Sequence, residues 1–207
     1  MTKIKLCGLS RVQDINAANG LMPDYIGFVF ARKSRRYVPP EAAAALRGRL
    51  NEGIRAVGVF VCEKAETVAG LLNSGVIDLA QLHGGESGEY VERLRELTNR
   101  PLIQAFRVSS RADLELAFRS AADHILLDNG AGGTGEAFDW DMLRGFDRPY
   151  FLAGGLDPAN VAGVVRALRP FAVDVSSGIE TDGYKDAGKM RDFVEAVRAA
   201  AGKDGIL

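Results

Sequence analysis

Apolar and polar positions fall in alternating blocks along this chain. Short apolar runs, of the length expected for buried strands, recur near Ile4–Cys7, Tyr25–Phe30, Arg55–Val61, Leu79–Leu82, Leu102–Phe106, His124–Leu127, Tyr150–Ala153 and Ala172–Val175. The segments between them have helical spacing. Val68, Leu71 and Leu72 make one apolar stripe, and Gly75 is placed to end its helix. Val91, Leu94 and Leu97 repeat the pattern. Asp157-Pro158 reads as an N-cap followed by proline at the first helical position, ahead of a stripe of Val161, Val164, Val165 and Leu168. Asp186 is placed to cap a last helix carrying Met190, Phe193, Val194 and Val197. The pattern predicts eight strands, each followed by a helix, at about 26 residues per unit, close to the minimum for a βα pair.

Strict alternation implies a parallel sheet with helices outside it. Eight such units favour an α/β fold of one domain, a closed (β/α)8 TIM barrel over residues 1–207, short against the usual ~250 residues. The alternative is an open doubly wound sheet, but no G-x-G-x-x-G follows the first strand to support it. In a barrel the site forms at the C-terminal ends of the strands. Polar and small residues gather there: Cys7-Gly8 after the first strand, Ser34–Tyr37 after the second, Gln81 and His83 on one face of the fourth, Asp128 after the sixth, Gly154-Gly155 after the seventh, and Asp174 to Gly178 on the eighth.

The segment His124–Trp140 concentrates this signal. Asp128 ends an apolar run, four glycines follow between Gly130 and Gly135, and Asp139 opens a short helix. A carboxylate at the end of a buried strand is costly unless paired, solvated or working, and a glycine loop lets backbone N–H groups close around a ligand. The plain alternative is a solvated aspartate in a surface loop.

Composition narrows the setting. The 207 residues are 47% hydrophobic and 26% charged, as in ordinary globular domains. A net charge of −1 without a basic stripe speaks against nucleic acid. No apolar run is long enough for a membrane span, and the N-terminus has no signal-like apolar core. Cys7 and Cys62 make no disulfide framework, which fits a reducing, cytoplasmic setting. No heptads are evident, so a monomer is expected.

Each candidate carries a competing structural reading. Gly154-Gly155 and Ser176-Ser177-Gly178 are either paired tight turns or, in this fold, the two loops that hold a phosphate. Cys7 is either a small buried hydrophobe or a base facing the cavity. Lys5, two residues earlier on the same face, would favour the thiolate and would need a carboxylate partner inside the barrel. Gln81 and His83 are either a polar floor for a ligand or a satisfied strand-end pair. Arg36 can fork onto a carboxylate, although within Arg32–Arg36 a solvated face is the simpler reading. Cys62 reads as packing or sitting inertly at the end of the third strand. The cysteines and histidines are too scattered for a zinc site, so no metal is expected.

Together these residues resemble the phosphoribosylanthranilate isomerase family of tryptophan biosynthesis. The resemblance runs along nearly the whole chain, through Lys5-Leu6-Cys7-Gly8, Gly27-Phe28-Val29-Phe30, Ser34-Arg35-Arg36-Tyr37, Val57–Val61, Gln81-Leu82-His83-Gly84, Gly132-Gly133-Thr134-Gly135 with Phe138-Asp139-Trp140, Leu152–Leu156 and Asp174–Glu180. Two places depart from it: Cys62 stands where the family pattern has asparagine, and Asp182–Asp186 varies a stretch that usually carries proline. The resemblance implies an Amadori rearrangement of a phosphoribosyl aminal of anthranilate to an aminoketose phosphate, with no cofactor. It implies Asp128 as general acid, Cys7 as general base, Arg36 on the anthranilate carboxylate, Gly154, Gly155, Ser177 and Gly178 on the phosphate, and Asp174 and Gln81 on sugar hydroxyls. A sister phosphoribosyl isomerase of histidine synthesis would resemble a pair of aspartates, one at the end of the first strand, where this chain has Cys7. A barrel that only binds a sugar phosphate is a further class, but it has no reason to pair an acid with a base.

Overall fold

The structure is a computed structural model and describes residues 1–129 and 140–202. Eight parallel strands close into a barrel in sequence order: β1 (Lys3–Cys7), β2 (Tyr25–Val29), β3 (Arg55–Phe60), β4 (Leu79–Leu82), β5 (Leu102–Val108), β6 (His124–Asn129), β7 (Tyr150–Leu152) and β8 (Ala172–Val175). Helices α1 (Val12–Leu21), α2 (Pro40–Arg47), α3 (Ala65–Asn73), α4 (Gly88–Leu97) and α5 (Arg111–Arg119) follow the first five strands. Helix α6 (Val161–Leu168) follows β7, and α7 (Ala187–Gly202) closes the chain. A small antiparallel hairpin, β9 (Glu180–Thr181) and β10 (Tyr184–Lys185), stands between β8 and α7.

The eighth helix expected from the alternation is not among the described residues. The described part of the β6–β7 connection carries only a 3-10 helix, Trp140–Leu143. Gly145, at φ 82°, and Pro149 stop it from extending. The glycine loop Gly130–Gly135 and Asp139 lie outside the described residues. Other differences are local. β6 runs through Asp128 to Asn129 instead of ending at Leu127. The regular turns of α6 begin at Val161. Asp157 still caps that segment, because its Oδ1 accepts from the N–H groups of Ala159 and Asn160 at 2.8 and 2.9 Å. Asp186 caps α7 likewise, accepting from the Lys189 N–H at 3.0 Å.

The two faces of each strand go to two cores. Outward residues such as Ile4, Leu6, Ile26, Phe28, Leu82, Ile125 and Val173 pack under the helices. Inward residues Tyr25, Val57, Leu79, Ile103, Leu126, Phe151 and Ala172 fill the barrel itself. Each Val, Leu, Ile or Phe side chain among them contributes roughly 1.5–3 kcal/mol on burial. Above this plug the inward positions turn polar: Lys5, Gln81 and Asp174 are buried. Closure of the barrel sets Lys5 directly beside Asp174 in the β1–β8 register. Cys7, Val29 and Val59 form the next layer, at the mouth.

Candidate active site

Lys5 meets the carboxylate that its burial demands. Its Nζ donates to Asp174 Oδ2 at 2.7 Å and to Gln81 Oε1 at 2.7 Å. Burial works against the ammonium, but the charges of Asp174 and Cys7 outweigh it and raise the Lys5 pKa. The other oxygen of Asp174, Oδ1, is buried without a hydrogen-bond partner. A buried acceptor in that condition costs about 1–3 kcal/mol until a donor reaches it.

Cys7 is 7% exposed, at the end of β1 and opposite Gly27 of β2. A Cβ on Gly27 would lie 2.7 Å from Cys7 Sγ, so glycine there makes the room the thiol occupies. Burial pushes the thiol above its ordinary range, while Lys5 and Lys185 oppose that shift and Asp174 adds to it. Burial thus opposes the thiolate that a nearby lysine alone would favour.

Gln81 and His83, two apart on β4 and its end, point to the same side. Gln81 Nε2 and His83 Nδ1 are 2.9 Å apart, and His83 Nε2 lies 3.2 Å from Asp128 Oδ2. A cavity of about 480 Å³ opens here, lined by Val61, His83, Gly84, Ala105, Arg107 and Asp128 among others. Arg107 pairs with Asp128 in the β5–β6 register. Arg107 is exposed at this rim, and in the sequence nothing distinguishes it from an ordinary solvated charge at the end of an apolar run.

Arg36 is not a solvated side chain. Its Nε and Nη2 fork onto Glu180 at 2.6 and 2.9 Å, and Arg35 reaches the same carboxylate at 2.6 Å. Lys185 Nζ joins it at 2.7 Å and also donates to the carbonyl of Ser176 at 2.8 Å. Burial would raise the Glu180 pKa, but hydrogen bonds from Arg36 and Lys185 and their charges bring it down to about 2. One carboxylate thus organises three cations, and the cluster remains positive beside the end of β1. Two of the five guanidinium donors of Arg36 go to Glu180, which leaves three N–H groups beyond that pair. Gly8 permits this approach: at φ 80°, its Cβ would sit 2.6 Å from Arg36 Cδ. Sequence reasoning missed Glu180 and Lys185, since a short hairpin after the last strand carries no periodic signal.

The two small-residue loops come together. Gly154 and Gly155 have φ of 89° and 66°. A Cβ on Gly178 would lie 2.0 Å from the carbonyl oxygen of Leu156, so only glycine lets the β8 loop rest on the β7 loop. Asn160 Nδ2 donates to the Gly155 carbonyl at 2.8 Å and holds that turn. A Cβ on Gly155 would meet nothing within 4 Å. Ser177 and Gly178 begin a 3-10 helix directly after β8. Among the described residues, no group of three or more His, Cys, Asp or Glu side chains is arranged to hold a metal ion.

Cys62 differs from the packing role expected of it. It is exposed, at φ 50°, with its N–H donating to Glu86 Oε1 at 2.9 Å and its Sγ 3.5 Å from the Gly84 carbonyl. Asparagine tolerates left-handed backbone better than most residues, which explains why that residue type suits the position.

Residues 4–196 match the family model described as N-(5'phosphoribosyl)anthranilate (PRA) isomerase. An N-(5'-phosphoribosyl)anthranilate isomerase of Caldanaerobacter subterraneus is 45% identical over 96% of this chain and 98% of its own length. The crystal structure of phosphoribosyl anthranilate isomerase from Thermotoga maritima superposes with a TM-score of 0.88 at 35% identity, covering 96% of this chain and all of that one. A further crystal structure of such an isomerase, in complex with reduced 1-(o-carboxyphenylamino)-1-deoxyribulose 5-phosphate, superposes with a TM-score of 0.85 at 34% identity over 96% of this chain and all of that one. With a barrel of the same order and a polar mouth of the expected composition, this chain belongs to the N-(5'-phosphoribosyl)anthranilate isomerase family.

Proposed function

We propose that the barrel mouth isomerises N-(5'-phosphoribosyl)anthranilate by general acid–base catalysis, with Asp128 as the acid and Cys7 as the base. The observation that carries this reading is that both groups border one polar floor, Cys7 beside Lys5 and Asp128 beside His83, on strands separated by β7 and β8. Asp128 gives a proton to the ribose ring oxygen as the C1'–O bond breaks and the nitrogen lone pair forms an iminium. The Cys7 sulfur then takes the C2' proton, and the electrons of that bond flow into the iminium to give an enolamine. A proton added at C1' and one lost from the C2' hydroxyl complete the ketose. The iminium is itself the electron sink, so these residues need only move protons. The positive charge of the iminium favours the Cys7 thiolate that acts as base, against the burial that opposes it.

Binding is divided among the surrounding groups. The Gly154-Gly155 and Ser177-Gly178 backbones take the phosphate, which the open space beside Gly155 supports. Arg36, aimed by Glu180, takes the anthranilate carboxylate. The unpartnered Oδ1 of Asp174 accepts a sugar hydroxyl. Gln81 and His83 line the floor under the sugar.

The working unit in this reading is a cytoplasmic monomer. The two free thiols support a reducing compartment, and the large exposed apolar side chains lie on several elements, with Leu116 and Phe118 together on α5 and Val12, Val61 and Tyr184 elsewhere. Light scattering at 22.2 kDa would bear out the monomer, and twice that mass would reject it. The activity itself is tested with substrate made in situ. Progressive change of the anthranilate fluorescence on incubation supports the isomerase, whereas saturable binding without turnover leaves only a sugar-phosphate sensor.

A further inference from the structure

Hydrogen bonds run from Lys5 through Gln81 to His83, whose Nε2 lies 3.2 Å from Asp128 Oδ2, and the donors and acceptors along this line can be assigned by elimination. Lys5 is an ammonium, with donors only. It lies 2.7 Å from the Gln81 side chain, so the atom it meets must be the amide oxygen. Asp174, the partner of Lys5 at 2.7 Å, keeps the ammonium in place and charged. The Gln81 amide cannot turn over without setting its NH2 group against that ammonium. The NH2 group therefore faces His83 Nδ1, at 2.9 Å, and can only donate to it. Nδ1 is then the acceptor of the imidazole, and the ring proton belongs on Nε2, the nitrogen 3.2 Å from Asp128 Oδ2.

We propose that Lys5 and Gln81 are positioning residues that set the His83 tautomer, and that His83 in turn sets which oxygen of Asp128 carries the catalytic proton. With the ring proton on Nε2, the nitrogen 3.2 Å from Oδ2, that oxygen is the accepting side of the carboxyl, and the proton of the acid resides on the other oxygen, free to face the substrate. When Asp128 has given up its proton, the same Nε2–H steadies the carboxylate that remains. In the opposite tautomer a lone pair on Nε2 would face Oδ2, and the proton of Asp128 would be drawn onto the imidazole side, away from the ring oxygen. This inference rests on the assignment of Asp128 as the general acid and adds to it the means by which the proton is presented. Lys5, fully buried, thereby acts on the chemistry without touching Asp128.

The test is the tautomer of His83, read by long-range ¹⁵N–¹H NMR on labelled protein. The chain has only His83 and His124, and His124 sits at the far end of β6, stacked on Phe171. A His83→Gln variant therefore assigns the two spectra by difference. The wild type should show the Nε2–H form at His83. Gln81→Glu keeps the pairing with Lys5 but presents an acceptor to Nδ1, and should switch the signal to the Nδ1–H form. The same variant should lose at least about 10-fold in kcat, as when a triad histidine is held in the wrong tautomer. Gln81→Met, which leaves the Lys5–Asp174 pair intact, should give a mixture of both forms and serves if the charged variant does not fold. An Nδ1–H wild type, or a Gln81→Glu protein that keeps Nε2–H or wild-type kcat, would overturn the proposal. The spectra need no substrate, so they stand apart from the assignment of Asp128, which fails separately if Asp128→Asn retains full turnover.

Discussion

Individual residues at the mouth are shaped by what neighbouring strands leave room for. Cys7 has its position because Gly27, its partner across β1 and β2, lacks a side chain. Gly27→Ala would set a methyl 2.7 Å from Sγ and 3.1 Å from the Cys7 Cα, and one of them must move. The expected cost is about 1–3 kcal/mol of stability, together with a fall in kcat larger than any change in KM. Thermal melting and steady-state kinetics on that variant check both, and an unchanged kcat would show that the thiol position does not matter to turnover. The same burial makes a pH signature. Because Cys7 is held above its ordinary range, alkylation at neutral pH should label exposed Cys62 first and leave activity intact. Inactivation should appear as pH rises and Cys7 ionises, and a product analogue should slow it. Mass spectrometry of the labelled protein decides; rapid inactivation at neutral pH with Cys7 modified would contradict it. From sequence alone Cys7 could be placed at a strand end beside Lys5, but not this balance. The ammonium was visible, whereas the desolvation that outweighs it depends on the closed barrel.

At the level of elements, the hairpin β9–β10 does more than join β8 to α7. It carries Glu180 and Lys185 to the end of β2, where they hold Arg36. Arg36→Met should weaken binding of a substrate that bears the carboxylate by roughly 2–5 kcal/mol, as expected for one partner lost from a desolvated ion pair, and should abolish preference over an aniline lacking that group. Equal losses for both ligands would mean that Arg36 acts only through the general field. The paired loops after β7 and β8 are the other functional element. Gly155→Asp adds a carboxylate where the phosphate is assigned, at a φ of 66° that already favours glycine. KM should rise steeply by like-charge repulsion, and an unchanged KM would place the phosphate elsewhere. The glycine pairs were legible because small residues recur after adjacent strands in matching positions. Glu180 was not, because one acidic residue in a short hairpin has no pattern until the barrel closes and brings β2 and β8 to the same rim.

Across the whole molecule, the alternation of strand and helix made the barrel legible from periodicity, down to the inward pairing of Lys5 with a carboxylate. The helix expected after β6 is, in its described part, only a 3-10 helix, which Gly145 and Pro149 stop from extending. Global stability should carry the mark of the Glu180 cluster. Its carboxyl titrates near 4.5 when unfolded and is brought to about 2 in the fold. A depressed carboxylate contributes stability that is present above the unfolded value and is lost as pH falls towards the folded one. Unfolding free energy should therefore decline between about pH 4.5 and 2, and Glu180→Gln should flatten that decline. A wild-type acid limb that the substitution leaves unaltered would count against it. The central claim, that one mouth joins an acid on β6 to a base on β1, is tested most directly by kcat of Cys7→Ser, with Asp128→Asn measured beside it in the fluorescence assay. Serine keeps the shape but hardly ionises near neutral pH. Each variant should lose about 10²–10⁴-fold in kcat, with KM little changed, because neither side chain anchors the phosphate or the carboxylate. Near wild-type turnover by Cys7→Ser would remove the thiol from the reaction and contradict the mechanism at its base.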